Sequence, residues 1–107
     1  MNVVPMKAPA EEPTNLTSSF ARAKARELSM DSKNVHLTNH AKQRMEERKI
    51  NLKQVLNCLE NGIVHDFPYK NVHGNWQFDI NYKTAGNAIK VGVAIDWPND
   101  LIILTAI

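Results

Sequence analysis

Cysteine is all but absent from this 107-residue chain, where Cys58 stands alone. That excludes an intramolecular disulfide framework and any zinc centre built on several thiolates. An excess of one charge sign is absent too: 13 Lys and Arg against 11 Asp and Glu leave a net +2. A polybasic protein that holds nucleic acid by bulk charge is thereby excluded. No apolar run approaches the roughly 20 residues that span a bilayer. There is no internal repeat, P-loop, dinucleotide fingerprint or Ser-His-Asp arrangement. The opening MNVVPMKAPAEEP lacks the apolar core and cleavage pattern of a signal peptide. With the lone thiol, this points to a protein working in a reducing cytoplasm. What is present is a 43% hydrophobic composition. That suits one globular core and is too apolar for a wholly disordered chain.

The composition shifts along the chain. Residues 1–18 carry three of the five prolines and read as a flexible tail. Residues 19–35 open with SFARAKARELSM, good helix formers that Ser18 or Ser19 can cap. Phe20, Ala21 and Leu28 make only a thin apolar stripe, which predicts a peripheral helix or linker. The globular domain is expected over residues 36–107. Thr38 or Asn39 caps a helix reaching Arg48, with Ala41 and Met45 as its buried stripe and Ile50 after it. Asn51 caps a second helix, with Gln54 completing a capping box. Leu52, Val55, Leu56 and Leu59 supply its apolar face. Asn61-Gly62 ends that helix, with glycine at C′.

After Gly62 the period becomes two. Residues 63–67 form a short strand that Pro68 stops. Trp76, Phe78, Ile80 and Tyr82 alternate with polar Gln77, Asp79, Asn81 and Lys83. Ala85-Gly-Asn marks a turn, Ile89, Val91, Val93 and Ile95 form the next strand, and Trp97-Pro-Asn-Asp100 marks a second turn. Residues 101–107 are almost continuously apolar, which predicts a strand covered on both faces, with Thr105 sharing the face of Ile103 and Ile107. The expected class is α+β: N-terminal helices packed on a roughly four-stranded antiparallel sheet.

The chemistry-bearing segment is His40-Ala-Lys-Gln-Arg44-Met-Glu-Glu-Arg48. On a helix, positions 40, 44 and 48 share an edge beside the buried Ala41 and Met45. An imidazole can move a proton near neutral pH, and guanidinium groups can hold a phosphate and stabilise charge developing on it. The alternative is a solvated helix surface on which Glu46 and Glu47 pair the arginines. Residues 40–53 set five cations against these two carboxylates, so the near-neutral average conceals a local +3. His40, His65 and His73 have no spacing that matches a helix-borne or finger-type metal site, so no metal is expected. Thr105 places one hydroxyl in an apolar strand, either as a packed β-former or to orient a phosphate or histidine. Tyr69, Lys70 and His73 combine a ring, a cation and an imidazole in the polar stretch PYKNVHGN, either as a substrate-facing loop or as plain surface. Trp76 and Trp97 read as packing residues, and Cys58 as a small buried one.

Leu37-Thr-x-His40-Ala41-x-x-Arg44-Met45-x-x-Arg48-x-Ile50 resembles the opening signature of a bacterial domain-of-unknown-function family, number 4258. Glu60-Asn-Gly62, Ile63-Val64 and the closing Ile102-Ile-Leu-Thr105 fit the same family, over residues 36–107. That family is similar in architecture to the RelE-like, barnase-like and colicin-like (BECR-fold) ribonuclease toxins. The resemblance implies a metal-independent endoribonuclease without cofactor, acting on transfer or messenger RNA by attack of the ribose 2′-hydroxyl on the adjacent phosphate. It implies His40 as general base or acid, Arg44 on the scissile phosphate and Thr105 orienting one of them. Arg48, Tyr69, Lys70 and His73 would then bind substrate. Relatives often place an aromatic residue after the threonine. Ala106 and Ile107 stand here instead, so Tyr69 or Tyr82 would supply stacking. A cognate immunity or antitoxin protein is implied as partner, and delivery as the C-terminal domain of a larger effector would account for the Pro-rich tail. The runner-up is a non-catalytic protein- or RNA-binding module whose contact face is Gln77, Asp79, Asn81 and Lys83. A weaker third reading is a metal-dependent enzyme using His40, His65 and His73.

Overall fold

The computed structural model describes residues 12–84 and 86–107. In chain order its elements are α1 (Ser18–Ser29), a 3-10 turn (Ser32–Asn34), β1 (Val35–Leu37), α2 (Asn39–Arg48) and α3 (Leu52–Asn61). Four further strands follow: β2 (Tyr69–Lys70), β3 (Trp76–Thr84), β4 (Asn87–Asp96) and β5 (Asp100–Ala106). The strands form one sheet in the order β1-β5-β4-β3-β2. The class is α+β as expected, but the sheet has five strands and is mixed. β1 pairs in parallel with β5, while every other pairing is antiparallel.

Three of the four expected strands are β3, β4 and β5. The fourth, over residues 63–67, shrinks to a single bridge between Ile63 and Asn81. Pro68 cannot donate to a ladder, and the edge pairing resumes after it as the two residues of β2. β1 escapes local pattern reading because three residues before a helix cap carry no period, and its parallel partner lies more than sixty residues away.

Each helix has a chemical start signal. Thr17 caps α1 by accepting from Phe20 N at 3.1 Å, in place of the expected serines. Thr38 caps α2 by accepting from Ala41 N at 3.0 Å. Asn51 and Gln54 form the reciprocal capping box of α3, with bonds of 2.8 and 2.9 Å. Lys49 ends α2 in the left-handed region at φ 57°, so the chain turns sharply into α3.

The thin stripe of α1 carries more than its size suggested. Ala21, Ala25 and Leu28 are buried in the same core cluster as the sheet residues, so α1 is part of the core rather than a peripheral helix. Small alanines let α1 lie close against α3. Arg22 Nε donates to Gly62 O at 2.6 Å and Arg26 Nε to Glu60 O at 2.9 Å. Two cations one turn apart thus sit on the carbonyl end of α3, where the helix dipole is negative. Phe20 stays partly outside, edge-on to Trp97 at 6.1 Å, and the buried Lys24 places its ammonium 4.9 Å from the Trp97 ring. Of the expected tail, residues 1–11 lie outside the described residues. Leu16 is buried in the core cluster.

All three helices cover one face of the sheet. Trp76, Phe78 and Ile80 of β3, Val91, Val93 and Ile95 of β4, and Leu101, Ile103 and Ala106 of β5 share one buried cluster with Ala41, Met45, Val55 and Leu59. Burying each large aliphatic chain contributes about 1.5–3 kcal/mol. β5 departs from simple alternation: Val93 pairs with Ile103 but Gly92 pairs with Thr105, so a bulge at Leu104 shifts the register. Thr105 therefore lies on the face opposite Ile103, which corrects the expected shared face. No described helix covers that opposite face, so the apolar run of β5 is covered on one side only, with Ile102 and Leu104 half-exposed.

Two outcomes follow from this packing. Gly62 has φ −78°, so it is not there for left-handed backbone; a Cβ would sit 2.5 Å from Ile80 Cγ2, 2.6 Å from Cys58 O and 2.8 Å from Asn81 O. Gly62→Ala is expected to cost about 1–3 kcal/mol, read as a lowered urea midpoint at unchanged slope. Cys58 is fully buried, and burial pushes its thiol up to about 12. The unfolded chain ionises that thiol from about pH 9. It then binds fewer protons than the native state, so Cys58 removes stability as pH rises from about 9 to 12, at about 1.4 kcal/mol per unit. Wild type should lose melting temperature across that window more steeply than Cys58→Ala.

Candidate functional site

His40 and Arg44 stand on α2, which begins directly after β1. Thr38 N donates to Ile103 O at 3.2 Å, continuing the parallel ladder by one residue. Its hydroxyl donates to Leu104 O at 3.4 Å while accepting from Ala41 N. The helix carrying His40 and Arg44 is thus fastened to β5 at the residue preceding Thr105.

His40 is exposed on the first turn of α2. Arg44, one turn on, has 37% of its side chain exposed and pairs with Glu47 at 3.5 Å. Its Nε is buried and has no acceptor among the described residues. An N–H left in that state costs about 1–3 kcal/mol, so an acceptor arriving at Arg44 would recover it. Arg48 is exposed at the end of the helix. No hydrogen bond or ion pair among the described residues joins His40, Arg44 and Thr105 directly. Thr38 ties α2 to β5, but α2 packs on the helix-covered face and Thr105 lies on the other, so the structure brings His40 and Arg44 together and leaves Thr105 apart.

Thr105 belongs to the helix-free face. Register places Asp79, Gly92 and Thr105 in one row across β3, β4 and β5. Above it runs a row spanning the sheet: Tyr69, Gln77, Ala94, Ile102 and His36. Ala94 is only 1% exposed yet lies outside the main core cluster, and Gly92 is buried beside it. Two small residues of the central strand make the floor of a trough whose walls are half-buried Gln77, Asp79, Ile102 and Thr105.

The other expected residues scatter. Tyr69 is exposed in the upper row. Lys70 lies on the helix side, over the Trp76 ring at 5.2 Å, paired with Glu12 and donating to Gly74 O at 3.2 Å. It is committed internally and does not face the trough. His73 is exposed in a loop that Asn71 Oδ1 organises by accepting from His73 N and Asn75 N. Among the described residues, no three of His, Cys, Asp and Glu are grouped as a metal site requires, so His40, His65 and His73 are not gathered. The sequence marks Asp79 only as part of a contact face and gives His36 no role. His36 Nε2 meets Asp100 Oδ1 at 2.9 Å at the sheet's upper edge. Asp79 was legible as the polar partner of alternating β3, but its pairing with Gly92 is a matter of register, which the sequence does not carry.

Fold and site together define a small α+β domain with helices on one face of a mixed sheet and a polar trough on the other. The chain belongs to the family described as Domain of unknown function (DUF4258), which matches residues 37–107. No curated protein matches the chain. No helix among the described residues is long and apolar enough to cross a membrane.

A Cβ at Gly92 would lie 3.0 Å from Thr105 Cγ2 and 3.2 Å from Asp79 Oδ1. Gly92→Ala should displace both side chains, seen as changed Thr105 methyl and Asp79 resonances. Its stability change should stay below about 1 kcal/mol, because no backbone atom blocks the new methyl.

Proposed function

We propose that this domain is a metal-independent endoribonuclease acting on transfer or messenger RNA in the bacterial cytoplasm. The observation that carries the reading is Arg44: a half-buried guanidinium with an orphaned Nε, one helical turn from the exposed His40. In this reading His40 accepts the proton of the ribose 2′-hydroxyl as its oxygen attacks phosphorus. Arg44 holds the phosphate and the charge that builds on it. The P–O5′ bond breaks, the 5′-oxygen takes up a proton, and a cyclic phosphate remains. The resemblance in architecture to RelE-like toxins, drawn from the sequence motifs, suggests this chemistry. It also suggests a cognate immunity or antitoxin protein and an origin as the cargo of a delivered effector.

His40 is exposed, so His40→Ala should leave the melting temperature unchanged while lowering RNA cleavage by about 10²-fold or more. Cleavage should persist in excess chelator. Wild type that neither cuts RNA nor slows bacterial growth, or His40→Ala that cuts as well as wild type, would reject the reading.

A non-catalytic binding module is the second reading, favoured by the uncovered face of Gln77, Asp79, Asn81 and Lys83. Under it, alanines at those positions abolish partner capture and His40→Ala has no effect.

A further inference from the structure

The lower end of the helix-free face holds a groove of about 550 Å³, within the range of small-molecule sites. Its geometry follows from register. Ile63 bridges Asn81, Asn81 pairs with Lys90, and Lys90 exchanges both backbone hydrogen bonds with Ile107. These four residues therefore form one row, with two half-exposed isoleucines as its ends and an amide and an ammonium between them. Lys83 lies two residues beyond Asn81 on β3, and His65 also lines the groove.

The charged side chains of this lining are of one sign. No Asp or Glu is among its residues, and neither Lys83 nor Lys90 has an acidic partner among the described residues. Ile63 is 53% and Ile107 42% exposed, so apolar surface stands open to solvent beside two unpaired cations. An apolar slot with an amide at its floor suits the flat face and polar edge of a nucleobase. Two ammonium groups at its side suit a phosphate. An acyl chain would leave the Asn81 amide without a partner, and inorganic phosphate alone would leave the isoleucines wet. Ile107 also borders a smaller depression of about 220 Å³ lined by Arg48 and Lys49, so positive charge continues around this end of the molecule.

We propose that this groove is a nucleotide-binding site, with the base between Ile63 and Ile107 over Asn81 and the phosphate on Lys83 and Lys90. As a binding site it stands without the ribonuclease reading.

The test is a titration of ¹⁵N-labelled protein with each nucleoside 5′-monophosphate, with inorganic phosphate and with a short single-stranded RNA. Wild type and the exposed double variant Lys83→Gln/Lys90→Gln are compared, with folding checked by circular dichroism. The expected result is amide shifts at Ile63, Asn81, Lys90 and Ile107 with a monophosphate. The double variant should bind the monophosphate at least about tenfold more weakly than wild type. RNA bound tighter than any monophosphate would make the groove a subsite of a longer track. Equal affinity for both would make it a mononucleotide site, and either result supports the proposal. No shift at those amides, equal response to inorganic phosphate, or full affinity in the double variant would overturn it. Nucleotide binding in a protein that cuts no RNA would reject the ribonuclease reading and leave the groove's assignment intact.

Discussion

One side chain joins the sheet to the helix that carries His40 and Arg44. Thr38 ends β1, begins α2 and spends both hydrogen-bonding capacities of its hydroxyl doing so, one on Leu104 and one on Ala41. Its N–H holds the ladder to β5. Three connections through one residue set the angle at which α2 leaves the sheet. Ala41 and Met45 can then enter the core, while His40 and Arg44 stand at its margin. A helix held only by its apolar stripe could slide or rotate by a fraction of a turn. One pinned at its cap to a central region of the fold cannot. The same pin settles the position of β1, whose three residues would hold poorly alone.

The β5 bulge is the second constraint. It permits a strand of nearly unbroken apolar character to present Ile103 to the helices and Thr105 to the trough. Without it, strict alternation would bury Thr105 among aliphatic chains, where its hydroxyl would need a partner. Gly92 complements the bulge on the neighbouring strand, since a larger residue there would press on both Thr105 and Asp79.

Sequence reading succeeded where the signal is local. The Asn51–Gln54 box, the Thr38 cap and the alternation from Trp76 to Tyr82 each depend on neighbours within a few residues, and each appears as expected. It failed where the cause is distant. β1 exists because β5 offers it a parallel edge. α1 is core because Gly62 and Glu60 present carbonyls to Arg22 and Arg26. Gly62 was identified as a helix end, but its glycine requirement comes from Ile80 and Asn81 rather than from its own φ. Within the candidate site, His40 and Arg44 were legible from helical spacing. The trough was not, because its floor is formed by what Gly92 and Ala94 lack, and a missing side chain gives no periodic signal.

The sheet's two outermost members are its shortest. β1 offers three residues and β2 two, beside interior strands of seven to ten. On one side β2 covers only Trp76 and Gln77 of β3, whose remaining edge is interrupted midway by the Ile63–Asn81 bridge; on the other, a foreign strand would find only the three residues of β1 before the chain turns away into α2. Strand-to-strand polymerisation needs a longer template than that. The short β1 margin thus offers little for self-templating, and the β3 margin is broken before it can offer a full-length edge.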